Sequence, residues 1–239
     1  MNFLMIRQSS RRISQTISRT YAIAHNAPWL TRPSVPFRIA QTRTLTASHP
    51  RPASSLNSPS LATVDPAQAE ATSLLETGTK LLEDGDIEGA LAKYQRSVQI
   101  HRTASGLFNL GVTHYHLKQF DKAIECWTNA IELDPTSADA HTNLASAYIM
   151  SPPCRPQLAL QHLQIAASLA PDDGEIAFNL AAVLESCGQL DAALVQYKRS
   201  LERNIDRAEQ NIRNVSAKIL GQRLREASKT QVAGDNEQK

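Results

Sequence analysis

The chain has 239 residues, 41% apolar but only 5% aromatic, and its 25 basic and 23 acidic side chains leave a formal net charge of +2. That length and apolar share are enough for one packed array of helices, and no run of 18 apolar residues occurs, which excludes a sequence-evident membrane-spanning helix. Cys126, Cys154 and Cys187 are odd in number, far apart and outside any paired metal spacing, which argues against a disulfide framework or a zinc site and for reduced packing or loop residues.

The charge is unevenly spread. Residues 1–64 hold eight Arg and no Lys, Asp or Glu, whereas residues 65–239 hold 17 basic and 23 acidic side chains. A helix over the first residues would place Ile6, Ile13 and Ile17 on one face and spread Arg7, Arg11, Arg12 and Arg19 over the other. Rich in Arg, Ser and Thr and free of acids, residues 1–52 resemble a mitochondrial presequence; the alternative is a solvated basic tail. Arg43-Thr44-Leu45-Thr46-Ala47-Ser48 is similar to sites processed in two steps, which would leave a start near Ala53, and Arg19-Thr20-Tyr21-Ala22 is a second usable site. The resemblance implies delivery to mitochondria, and the lack of a stop-transfer run points to the matrix. Residues 53–65, rich in Pro and Ser, read as a disordered linker.

Asp65-Pro66 starts the first helix, with Asp as its N-cap and Pro in its first position. From Ala71 to Asp206 one pattern recurs four times. Its small residues pair as Gly78 with Ala90, Gly111 with Ala123, Ala145 with Ala159 and Ala181 with Ala193, at steps of 33, 34 or 36 residues. Such residues fall where two helices approach within about 8–10 Å, and Leu110, Trp127, Leu144, Leu163, Leu180 and Tyr197 recur at helical spacing between them. A period near 34 predicts stacked helix pairs. With Leu110-Gly111, Ala123, Trp127 and Asp134-Pro135 in its clearest copy, the stretch resembles the tetratricopeptide repeat (TPR) family.

The resemblance implies an all-α fold, an α-solenoid of four helix pairs over residues 66–207, closed by a capping helix over residues 208–229 and followed by a disordered tail at 230–239. Ala208, Ile212, Val215, Ile219 and Leu224 form the apolar stripe of the expected cap. In repeat three, Ser151-Pro152-Pro153-Cys154-Arg155-Pro156 carries two extra residues between the helices, lengthening a turn without breaking the stack.

Motifs for catalysis are missing: no HExxH, CxxC, P-loop or GxGxxG occurs, so the reading is non-enzymatic with no cofactor and no metal. Asp84-Gly85-Asp86-Ile87-Glu88-Gly89 imitates a calcium loop, but its twelfth place is Gln95, and the register makes Gly85 and Asp86 a turn between helices. His114 and His116 are two apart and face different ways on a helix; one is expected packed and the other solvated. Nucleic acid is an unlikely partner, because residues 65–198 carry 8 basic and 17 acidic side chains; an RNA-associated role would have to use the basic end from Arg199 onward.

The family resemblance implies a protein or peptide ligand in a concave groove, as for a scaffold, assembly factor or co-chaperone. Asn109, Asn143 and Asn179 stand two residues before the small slots of repeats two, three and four, where the family faces its groove. An amide offers both donors and an acceptor, so the three could pair with the backbone of an extended chain; alternatively they hydrogen-bond between helices or are common choices of the family that meet no ligand. Phe108, Val112, Tyr115, Thr142 and Phe178 are expected beside them as selective contacts. A carboxylate clamp is not expected, since Leu75, Thr79, Phe108, Val112, Asp139 and Glu175 supply no cation there.

Overall fold

The structure is a computed structural model that describes residues 65–237, with side chains described to residue 228. Among the described residues it contains nine helices and no strand: α1 (Pro66–Glu83), α2 (Ile87–Ile100), α3 (Ala104–His116), α4 (Phe120–Leu133), α5 (Ala138–Met150), α6 (Pro156–Leu169), α7 (Gly174–Ser186), α8 (Leu190–Glu202) and α9 (Ala208–Glu237). These are the helix pairs of an α-solenoid plus a C-terminal helix. The chain divides into two compact units, whose described parts are residues 65–155 and 156–237. The expected presequence and almost all of the linker lie outside the described residues.

Helix starts follow local chemistry. Asp65 accepts from the Ala67 N–H at 3.0 Å, Thr103 from Gly106 at 3.1 Å, Ser137 from Ala140 at 3.2 Å, and Asp173 from Glu175 at 2.9 Å and Ile176 at 3.2 Å. Each side chain satisfies N–H groups that the first helical turn leaves open. Asp86 does the same for Gly89 at 2.8 Å, so the supposed calcium loop is a helix cap. Turns between paired helices close on one left-handed residue, Gly85 (φ 88), Lys118 (φ 59) or Gly188 (φ 77). In each, the following N–H reaches five residues back, from Asp86 to Leu81, Gln119 to His114 and Gln189 to Leu184. In repeat three the longer turn closes instead with Arg155 N–H on the Tyr148 carbonyl at 2.9 Å.

In the first unit one cluster surrounds Trp127 with Leu107, Phe108, Val112, Ala123, Ala130, Ala140, Leu144 and Ala147. A second joins Leu75, Ala90, Tyr94, Leu110 and Cys126. Burial raises the Cys126 thiol to about 11, so it is an uncharged packing group at neutral pH. In the second unit Tyr197, Ala193, Leu180 and Ala181 are buried together with Ala208, Val215 and Ile219 of α9. All eight small slots are buried, as the periodicity requires.

The C-terminal helix departs from expectation in two ways. It continues to Glu237, eight residues past the end expected at residue 229 and through much of the tail expected to be disordered. Its sequence offers no Pro, and no Gly between Gly221 and Gly234, to stop it. Leu224, expected on the buried stripe, is 61% exposed. At about 1.5 Å per residue, α9 outruns the 13-residue α8, and Arg223 meets Asp191 at the first turn of α8, 3.6 Å apart, so Leu224 lies where that neighbour ends.

Candidate functional site

The first helix α3 turns one face to the second helix α4. Gly111 packs on Trp127 of α4, and Asn109, two residues earlier, stands about 160° away around α3 at 100° per residue. Asn109 is therefore on the side opposite α4. It is 1% exposed, and neither its amide oxygen nor its amide nitrogen has a hydrogen-bond partner. Asn143 repeats the situation on α5, 2% exposed with its Nδ2 unpartnered. In the second unit Asn179 holds the same register on α7, half-buried, again with Nδ2 unpartnered. Leaving a buried donor unpaired costs about 1–3 kcal/mol, so the alternative reading, hydrogen bonding between helices, does not account for these nitrogens.

The side chains expected beside the asparagines are packed rather than presented. Phe108 and Val112 are 3% and 1% exposed, within the cluster around Trp127. The Tyr115 ring lies 5.2 Å from Phe120 and 5.9 Å from Trp127, and burial raises its phenol well above the usual range. Thr142 donates its hydroxyl to the Ala138 carbonyl at 2.8 Å. Phe178 meets Tyr197 edge-on at 5.4 Å and carries the Arg207 guanidinium 4.3 Å above its centroid. Spacing alone could not separate these positions from groove positions, because a helix flanked by neighbours before and after buries more than one stripe.

In the asparagine slot of repeat one, two residues before Gly78, stands the exposed Glu76, with Glu83 exposed on the same helix and Asp139 half-buried on α5. His114 is buried, its Nδ1 2.9 Å from Gln119 Oε1, and desolvation lowers its pKa against the opposing hydrogen bond. His141 is buried with Nε2 3.3 Å from the Pro135 carbonyl, and its pKa is lowered for the same cause. His116 is half-buried, so neither histidine of the pair is fully solvated.

Sequence reading missed the polar links that tie elements together. Ser97 donates to the Ala71 carbonyl at 2.7 Å and Ser200 to the Gly174 carbonyl at 2.8 Å, each tying the second helix of its repeat to the first in repeats one and four. Their signal is a Ser where the other repeats have Ala130 and Ala166. The basic C-terminal region is largely engaged: Arg203 pairs with Asp172, Arg207 with Glu175, Lys218 with Glu185 and Arg223 with Asp191. Among the described residues, no helix is long and apolar enough to cross a membrane and no group of three His, Cys, Asp or Glu could hold a metal.

Comparison with known proteins agrees with this architecture. Residues 104–137 match the family model for the tetratricopeptide repeat. The tetratricopeptide repeat-containing protein trd-1 of Caenorhabditis elegans is 27% identical over 152 residues, 63% of this chain but 20% of that protein, so the chain spans a fifth of that relative's length. Among solved structures, MamA protein superposes with a TM-score of 0.57 at 28% identity, covering 61% of this chain and 80% of its own. YrrB, described as a TPR protein with an unusual peptide-binding site, gives 0.55 at 23% identity, covering 62% and 76%. Residues 104–137 are thus a tetratricopeptide repeat within an all-α array of helix pairs that is similar to proteins of that repeat family.

Proposed function

We propose that this chain is a non-enzymatic protein-interaction scaffold that holds an extended segment of a partner protein along the faces of α3 and α5 that carry Asn109 and Asn143, and that it works in the mitochondrial matrix. Proteins built on this repeat generally mediate protein–protein contacts. The observation that carries the reading is the pair of buried amides on Asn109 and Asn143, unpartnered at one register of successive repeats. The carbonyls of an extended chain would supply the missing acceptors whatever its side chains are, once the amides, 1% and 2% exposed in the free chain, turn out of their packing. Asn179 offers the same donor in the second unit. The location rests on the acid-free, Arg-rich first 64 residues.

The test is capture of partners by proximity labelling from the full chain in mitochondria, wild type against Asn109→Ala, Asn143→Ala and Asn179→Ala combined. Capture should fall by a few kcal/mol in affinity, at about 1 kcal/mol per lost hydrogen bond, while helical content and melting hold. Undiminished capture by the folded triple variant would move the site elsewhere. Protease sensitivity of the protein in intact mitochondria, or its release once only the outer membrane is ruptured, would overturn the matrix location.

A further inference from the structure

The C-terminal helix α9 has two apolar sides. Val215 and Ile219 are packed into the second unit, 0% and 7% exposed, whereas Leu220 and Leu224 stand roughly 120° to 160° further round the helix at 100° per residue. These two are 59% and 61% exposed, so nothing among the described residues covers them. Ala217 and Ala227, both exposed, extend the outer strip in either direction. The charged residues of the stretch avoid it: Lys218, Arg223, Arg225 and Glu226 all lie about 80° or more from its midline. Lys218 and Arg223 are turned instead to Glu185 and Asp191 of the second unit. A terminal helix that closes a solenoid needs a polar outer side; this one is apolar and free of charge.

The strip also matches itself. Leu220 and Leu224 are each two residues from Gln222, and Ala217 and Ala227 are each five from it. The leucines fall about 20° to either side of the midline and the alanines about 40°. Turned over by a two-fold axis level with Gln222, the strip meets its own copy with Leu220 level with Leu224 and Ala217 level with Ala227. Small alanines at both ends let two helix axes approach within about 8–10 Å, and an interface between identical copies requires this kind of self-match. An anionic lipid or nucleic acid would need cations along the strip, where none stands.

We propose that α9 pairs antiparallel with the α9 of a second copy through Ala217, Leu220, Leu224 and Ala227, making the protein a two-fold dimer. From Ala217 to Ala227 the strip is about 15 Å long, too small for the roughly 800 Å² that each partner buries in a standard interface. The dimer is therefore weak and depends on concentration. The inference uses none of Asn109, Asn143 and Asn179 and does not rest on their binding a partner.

The test is sedimentation equilibrium of the full chain from about 5 to about 200 µM, where the mass should rise from one copy towards two. Leu220→Asp and Leu224→Lys should each weaken association at least about tenfold, because each buries a lone charge in the strip, while helical content and melting hold. Mixing the two variants should restore a dimer, since antiparallel pairing sets Asp at 220 of one copy against Lys at 224 of the other. A mixture no more associated than its components would overturn the antiparallel pairing. A wild-type chain that stays monomeric throughout would overturn the dimer, and if it also sediments with anionic phospholipid vesicles unless Leu220 and Leu224 are replaced, the occupant is a lipid surface. Association undiminished in both single variants would overturn the inference and move self-contact elsewhere, with the exposed Leu158, Ile165 and Leu169 of α6 the next surface to replace.

Discussion

A Cβ added to Gly111 would stand 2.6 Å from Nε1 of Trp127, the indole nitrogen that donates to the Phe108 carbonyl at 3.0 Å. Gly78 has the same relation to Tyr94, at 2.8 Å. Trp127 is wholly buried and anchored by its hydrogen bond, so the ring cannot simply swing away.

Gly111→Ala therefore sets two effects against each other. Helix propensity alone would favour Ala by about 1 kcal/mol, whereas forcing a packed ring to shift costs about 1–3 kcal/mol. The second effect wins. The variant should lose up to about 2 kcal/mol in urea unfolding, and Gly111→Leu or Ala123→Leu should unfold the first unit, since repeats fail with their neighbours. Stability equal to wild type in all three would mean that α3 and α4 do not meet at these residues.

Turn geometry makes the opposite kind of prediction. Lys118 sits at φ 59, where Gly85 and Gly188 serve in the corresponding turns. A left-handed non-glycine residue costs about 1–2 kcal/mol, and glycine's extra freedom in the unfolded chain returns part of that. Lys118→Gly should raise stability by up to about 1 kcal/mol, read as a higher urea midpoint at unchanged m-value. A lower midpoint would show that the Lys118 side chain makes a contact worth more than the strain.

These cases mark how far the sequence could be read. Gly111, Ala123, Ala181 and Ala193 were legible because a close helix crossing admits only small residues, and that requirement repeats at a fixed period. Asp65, Asp86 and Asp173 were legible because capping is a local matter of a few residues. The exposure of Leu224 was not, since it depends on where α8 ends. Nor were the links of Lys218 to Glu185 and Arg207 to Phe178, which join residues about thirty apart and leave no periodic trace. The asparagine register could be read from spacing, but its depth of burial, and hence the unpaired state of the Asn109 amide, is set by packing around the whole helix.

One hydroxyl links α9 to both helices of repeat four. Tyr197 donates to Glu185 Oε2 at 2.9 Å and accepts from Asn211 Nδ2 at 3.0 Å, while Lys218 donates to the other oxygen of Glu185 at 2.6 Å. The corresponding Tyr94 hydroxyl in repeat one has one such contact, with Thr79 at 3.1 Å. At about 1 kcal/mol per hydrogen bond, Tyr197→Phe should cost about twice as much as Tyr94→Phe and raise amide exchange in α9. Removing residues 208–239 strips the cover formed by Ala208, Val215 and Ile219 and should produce aggregation. A monomeric, cooperatively folded truncation would show that α9 is dispensable to the second unit.

Acid sensitivity should begin well above the carboxylate range. Desolvation lowers the pKa of His114 and His141 in the folded state, with the hydrogen bonds to Gln119 and the Pro135 carbonyl opposing it; for His114, Lys122 lowers and Glu125 raises it further. In the unfolded chain both imidazoles take up protons near pH 6.5, so as pH falls through that value the unfolded state binds more protons than the folded one. Stability from these groups is complete above about pH 6.5 and declines below it until the depressed folded pKa is passed. Urea midpoints should therefore fall between pH 7.5 and 5.5, a range in which ordinary carboxylates stay ionised. In His114→Gln and His141→Gln combined, a residue that cannot be protonated replaces each imidazole, and the fall should shrink, with His116, whose pKa burial also lowers, supplying part of the remainder. A midpoint that drops equally in wild type and the double variant would assign the acid sensitivity to other groups.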